Sequence, residues 1–306
     1  MLEAMRNGAS ARRIGAAMLL GALAVLAAFE PALAQQGQAP GQPVPGGISF
    51  QPPATAVAEF LQWFHNGFLL PIITVICIFV AGLLCYALWA FSEKRNPEPS
   101  TTTHHVGLEV AWTVLPVFIL IIIAIPSFRL LYQQLNIPRA DITIKAIGST
   151  WKWSYEYPDH GNFSFVSSMQ TDQERAERIA KGTPAGEVPR LLAVDNEVVV
   201  PVGKVVRVQV TASDVIHAFA VPSFGVKIDA VPGRLNETWF RATREGLYYG
   251  QCSELCGKDH AFMPIAVRVV SDQAFAAWVE DAKKRFASTA PATTFAAATI
   301  ELPSAR

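Results

Sequence analysis

Two uncharged apolar runs dominate the first half of the chain, and period-two alternation dominates the second. Phe68 to Phe91 carries no charged residue and is long enough to cross a bilayer as a helix. Pro71 falls near its start, where a missing amide donor costs least. Val110 to Phe128 is a second uncharged stretch, with Pro116 and Pro126 inside it. Prolines are tolerated there because neighbouring helices or waters serve the freed carbonyls. The loop between them, Ser92 to Gly107, holds Lys94 and Arg95, which favours the cytoplasmic side. Both ends of this helical hairpin then face outward. Ahead of it, Arg6, Arg12 and Arg13, the apolar run Ile14 to Phe29 and Ala32-Leu33-Ala34 read as a cleavable signal peptide. An uncleaved anchor is the alternative, but the run is short and broken by glycines. Gln35 to Pro53 is rich in Gln, Pro and Gly without periodicity and reads as mobile.

From Asp141 the chain changes character. Val206, Val208 and Val210 alternate with Arg207 and Gln209, and Ile265, Val267 and Val269 alternate with Ala266 and Arg268. That is the period of half-buried strands. Turn residues punctuate them at Pro201-Val202-Gly203, Pro232-Gly233 and Glu245-Gly246. Asp172 to Lys181 suits a short surface helix. Asp272 to Ala287 suits an amphipathic helix with Phe275, Trp278, Val279 and Phe286 as its stripe. The predicted fold is a two-helix transmembrane hairpin followed by an all-β, cupredoxin-like Greek-key sandwich or barrel. The predicted organisation is a signal peptide over 1–34, a flexible mature N-terminus over 35–59 and the hairpin over 60–136. A periplasmic β domain over 137–271 and a C-terminal helix with a loose tail over 272–306 complete it.

Composition agrees. Of 306 residues 51% are hydrophobic and 16% charged, too apolar for an ordinary soluble protein. Formal net charge is zero with no Lys/Arg-rich run, so nucleic-acid binding has no electrostatic support. Of four cysteines, Cys77 and Cys85 lie in an apolar run and pack as small hydrophobes.

The other two carry the chemistry. Gly250 to Pro264 holds Cys252, Cys256, His260 and Met263 within twelve positions. Thiolate, imidazole and thioether together are the donor set of copper electron-transfer sites. One copper does not need the second thiolate, but two coppers can share both. Each then takes one imidazole, from His217 and His260, and one weak axial donor, Met263 or the Glu254 carbonyl. Two other readings compete: a Cys-x3-Cys disulfide outside the cytoplasm and a structural zinc on two Cys and two His. Neither explains Met263 three residues after His260.

Cys-Ser-Glu-Leu-Cys-Gly-x-x-His-x-x-Met resembles the dinuclear copper centre of subunit 2 of haem–copper cytochrome c oxidases. The resemblance runs from about Phe60 to about Val279. It covers the hairpin, the run Trp151 to Tyr157, Val194-Asp195-Asn196, Asp214 to Pro222 and Pro232 to Asn236. A signal peptide and two spans are similar to the bacterial members. It implies copper ligation by His217, Cys252, Glu254 (through its carbonyl), Cys256, His260 and Met263. The Glu254 carboxylate would reach a magnesium ion shared with subunit 1. Trp151 would receive the electron from cytochrome c, docked on Glu156, Asp159, Asp195 and Asp214. Glu109, otherwise readable as an interfacial carboxylate, would be the mouth of a proton channel into subunit 1. Subunits 1 and 3, the lipid bilayer and cytochrome c are the implied partners, in a bacterial inner membrane with the copper domain in the periplasm. A quinol oxidase subunit would lack the copper ligands. A nitrous oxide reductase domain would lack the hairpin. A free-standing anchored cupredoxin would not need two spans or Glu109.

Overall fold

The computed structural model describes residues 40–44 and 46–286. Residues 44, 46 and 47 fall outside the unit that holds every element below. The signal-peptide residues and Ser288–Arg306 lie outside the described residues.

Helix α1 spans Ala56–Ala90 and helix α2 spans Val106–Leu135. Both are long and apolar enough to cross a membrane, and no residue of Leu70–Ala90 or Val106–Leu135 is buried. So much continuous exposed hydrocarbon suits lipid rather than water. Both helices outrun the uncharged stretches. The reason for α1 is local. Thr55 caps it by accepting from the Ala58 amide at 3.0 Å, so Pro71 sits mid-helix rather than near a start. A π-helical stretch, Trp63–Leu69, ends just before that proline. The wider turn leaves room where the ring would crowd the preceding carbonyl. At about 1.5 Å per residue, α1 is longer than the hydrocarbon layer, and its first turn leans on the β domain. There Val57 and Ala58 are buried, and the Thr55 hydroxyl donates to the Phe224 carbonyl at 2.8 Å. The last turn of α2 is tied to the same domain. Gln134 Nε2 donates to the Gly225 carbonyl at 3.2 Å, and Trp239 Nε1 donates to the Gln133 carbonyl at 3.2 Å.

The β domain is a sandwich of two five-stranded mixed sheets. Its strands are β1 Ile142–Ser149, β2 Lys152–Tyr157, β3 Phe163–Ser167, β4 Val198–Pro201 and β5 Val206–Ala212, then β6 His217–Val221, β7 Val226–Ala230, β8 Asn236–Phe240, β9 Gly246–Cys252 and β10 Pro264–Val270. One sheet runs β3-β2-β1-β5-β8 and the other β4-β10-β9-β6-β7. The pairs β1/β5 and β4/β10 are parallel and the rest antiparallel. Val206, Val208 and Val210 point into the core, as do Ile265, Val267 and Val269. Ala266 was expected to face water and is buried as well. It packs with Leu192, Val194, Leu247 and Tyr249 under the segment that connects β3 to β4. That segment carries α3, Asp172–Ala180, held by a reciprocal Thr171–Glu174 capping box. Helix α4, Asp272–Phe286, lays Phe275, Val279 and Ala282 into the core, with Trp278 alongside.

Within the stretch 35–59, read as flexible, described residues bond to the β domain. Gly41 pairs with the edge of β9, donating to the Leu247 carbonyl and accepting from the Tyr249 amide. Ala54 is buried, and its carbonyl accepts from the Thr243 amide at 2.9 Å. An extended segment that bonds one residue at a time to its neighbours leaves no periodicity in its sequence.

Candidate metal centre

Strand pairing assembles the donors. Register of β6 on β9 sets Phe219 opposite Cys252. His217 lies two residues before Phe219, so alternation returns it to the same face as Phe219, beside Cys252. The two strands approach this closely because position 250 is glycine. A Cβ there would collide with the Ala220 carbonyl. The chain from Cys252 to Pro264 then loops over one end of the sandwich, with a short 3-10 turn at His260–Phe262.

This loop brings six donors together. The two sulfurs lie 3.9 Å apart, and both cysteines are free and buried. At that distance they are not joined as a disulfide, whose bond is about 2.05 Å. Cys252 Sγ faces His217 Nδ1 at 3.9 Å and donates to the Glu254 carbonyl at 3.3 Å. Cys256 Sγ faces His260 Nδ1 at 3.5 Å and Met263 Sδ at 3.6 Å. The ligand atoms of His217, Cys252 and Cys256 all lie within 4.8 Å of one another, so this cluster can hold a metal. Each sulfur thus has its own imidazole nitrogen and its own weak donor. Burial, then the adjacent Cys252 thiol, pushes the Cys256 thiol up to about 12. Without a cation Cys256 keeps its proton at neutral pH, and a bound cation would displace it.

His217 is fully buried and its Nε2 meets Asp214 Oδ1 at 2.9 Å. A carboxylate only accepts, so Nε2 carries the proton and Nδ1 turns its lone pair towards Cys252. Burial raises the Asp214 carboxyl, but hydrogen bonds from His217, Thr150 and Val215 outweigh that and hold it well below the usual carboxylate range.

Strand alternation does not relate the two tryptophans of Trp151-Lys152-Trp153, because β2 begins only at Lys152. Trp153 is fully buried. Its Nε1 donates to the Met263 carbonyl at 3.3 Å, and its ring lies edge-on to His217 and Phe219. Trp151 sits in the turn before β2, half-exposed, and its Nε1 donates to the Cys256 carbonyl at 3.2 Å. Its ring lies against Gly257, where φ is +120° and a Cβ would come within 3.0 Å of the indole. Around the buried donors, Val215, Ile216, Leu255 and Phe262 are exposed. The Glu254 side chain is exposed too.

The four acids separate. Ser167 pairs with Trp153, so Ser168, whose amide donates to Asp195 at 2.7 Å, lies at the Trp151 end of the sheet. Asp214, bonded to Thr150, is at the same end. Glu156 lies further along β2, ion-paired with Lys145 at 3.1 Å and largely covered. Asp159 follows β2 and accepts from the Thr143 amide at 2.7 Å. Glu109 is far from all of these, in the first turn of α2. Its carboxylate accepts from the His105 amide at 3.2 Å, while His105 Nδ1 accepts from Leu108. It therefore closes a reciprocal cap. Sequence reasoning did not find Thr150, Asp214 as a partner of His217, or Trp153 under Met263. Asp214, three residues before His217, was the one available signal.

Two family descriptions match the chain: "Cytochrome C oxidase subunit II, transmembrane domain" over residues 43–130 and "Cytochrome C oxidase subunit II, periplasmic domain" over 142–270. A probable cytochrome c oxidase subunit 2 of Rickettsia felis is 51% identical over 79% of this chain and 74% of its own length. Cytochrome c oxidase subunit 2 of Cereibacter sphaeroides is 49% identical over 86% of this chain and 89% of its own. Among solved structures, the periplasmic domain of subunit II of cytochrome oxidase of Bradyrhizobium japonicum is 64% identical, with a TM-score of 0.44. It covers 49% of this chain and 99% of that one.

Proposed function

Because the chain belongs to the cytochrome c oxidase subunit 2 family, we propose that it is the subunit that accepts electrons from cytochrome c. It passes them to a haem in subunit 1, where oxygen is reduced to water and protons are pumped. The observation that carries this reading is the pair of buried, unjoined thiols 3.9 Å apart, each with its own imidazole and weak donor. His217, Cys252, the Glu254 carbonyl, Cys256, His260 and Met263 would hold two copper ions. When bound, such a pair would supply a one-electron carrier whose change in charge is shared between two ions.

The chain's own groups do the rest. Burial of both thiols excludes water from the carrier. The Trp151 indole, hydrogen-bonded to the Cys256 carbonyl, links the outer surface to the ligand loop. Asp195, at the same end of the sheet, offers negative charge to a basic partner and raises its on-rate. Glu156 and Asp159 would extend this field, Glu156 less because Lys145 neutralises it. The exposed Val215, Ile216, Leu255 and Phe262 suit the surfaces of subunit 1 and cytochrome c. Glu254 points its carboxylate outward, where subunit 1 would complete a magnesium site. The hairpin lies in a bacterial inner membrane beside subunits 1 and 3, with the β domain in the periplasm.

Low-temperature electron paramagnetic resonance on the purified chain tests the reading. One unpaired electron shared by two copper nuclei is expected, and a single-copper pattern or none would overturn it. Trp151→Phe should leave that signal intact while slowing electron transfer from reduced cytochrome c by about tenfold, ~1.4 kcal/mol in the barrier. Stopped-flow mixing reads this, and unchanged kinetics would move the port elsewhere. For Glu109, cap and proton role separate. Glu109→Gln keeps an acceptor for the His105 amide but loses the titratable carboxyl. Both Glu109→Gln and Glu109→Ala should slow turnover by about tenfold or more with cytochrome c affinity unchanged. Normal turnover in Glu109→Gln would leave this residue only its cap.

A further inference from the structure

Asp214 is none of the donors, yet it touches both ends of the route that an electron would take. Its Oδ2 accepts from the Thr150 amide at 2.7 Å and the Thr150 hydroxyl at 2.8 Å. Its Oδ1 accepts from the Val215 amide at 2.7 Å and from His217 Nε2 at 2.9 Å. Thr150 immediately precedes Trp151, and Trp151 reaches the ligand loop through the Cys256 carbonyl. The same two segments are stitched once more where the Ser213 amide donates to the Gly148 carbonyl at 3.0 Å. Both carboxylate oxygens are therefore committed to the protein, and the side chain is only 32% exposed. A residue whose main task is to meet a basic partner needs its charge turned to water.

We propose that Asp214 is a positioning residue: it fixes the proton and orientation of His217 and locks the Trp151 turn to that imidazole, with docking of cytochrome c secondary. This rests on the function proposed above. Loss of such a partner behind a ligating histidine lowers metal affinity by roughly 10–100-fold, whereas loss of a docking acid leaves the metal untouched.

The discriminating experiment uses the full chain with three variants. Asp214→Glu keeps the charge but, being one methylene longer, cannot place two oxygens among four donors. Asp214→Asn removes the charge and one acceptor. Asp195→Asn removes a nearby acid that has no tie to a ligand. Copper retention against a chelator, the paramagnetic hyperfine pattern and the salt dependence of cytochrome c binding are measured on each. Both Asp214 variants should lose copper roughly 10–100-fold more readily and show an altered pattern, and Asp195→Asn should change only cytochrome c binding. An Asp214→Glu chain with wild-type copper retention and pattern would overturn the proposal. If Asp214→Asn does not accumulate, Asp214→Glu alone decides. A wild-type chain without a two-copper signal would sink the function but not the tie. The tie is then read in the metal-free chain from the ring nitrogens of 15N-labelled histidine. Asp214→Asn should shift the His217 Nε2 signal, and an unshifted signal would remove it.

Discussion

Cys252→Ser should leave the chain unable to hold two copper ions. Cys252 Sγ faces His217 Nδ1 and the Glu254 carbonyl on one side and Cys256 Sγ on the other. It lies 3.9 Å from His217 Nδ1 and is one of the two thiols that the ligand loop carries, so its loss removes half of the thiolate donors. A serine hydroxyl is a hard oxygen that stays protonated at neutral pH and does not bridge soft ions. Copper per chain should fall below two, and the hyperfine pattern of a shared electron should vanish. The fold should survive, because serine is nearly isosteric and the cost of burying one hydroxyl is on the order of 1–3 kcal/mol. Elemental analysis with paramagnetic resonance checks the metal, and circular dichroism checks the fold. Two coppers with an unaltered pattern would refute the ligand assignment.

Some features were legible in the sequence because their cause is local. The alternation at Val206–Val210 needs only period two and one buried face, and β5 follows it. The spacing Cys252, Cys256, His260, Met263 is read within one loop, so its convergence needed no knowledge of distant chain. The uncharged runs marked both membrane helices, though not their ends. Those ends are set by contacts with the β domain, at Thr55, Gln133 and Gln134, which no hydropathy window contains. Burial of Ala266 depends on a covering segment some seventy residues earlier in the chain. The partnership of Asp214 with both His217 and Thr150 depends on how two sheets meet at one end. An acid that reads as a docking contact in one dimension bonds both His217 and Thr150 in three.

The same distinction gives the last large effect, at Trp153. Two residues from Trp151 and identical in type, it belongs to the core rather than the surface. Its side chain is fully buried against Phe219 at 5.6 Å and His217 at 6.2 Å between ring centroids. Trp153→Ala removes one of the largest buried side chains and should destabilise the β domain by roughly 3–5 kcal/mol. That is a large share of the ~5–15 kcal/mol that holds a typical domain together. It also leaves the Met263 carbonyl without its Nε1 donor and the His217 ring without its wall. Copper retention should therefore fall along with the midpoint of chemical denaturation. Trp153→Phe keeps much of the volume but not the donor, and should recover most stability while still weakening the hold on Met263. Denaturation followed by circular dichroism, with copper counted at each stage, separates the two contributions. A Trp153→Ala chain as stable as the wild type would mean that the indole is not a core member, and the packing described around Met263 would have to be abandoned.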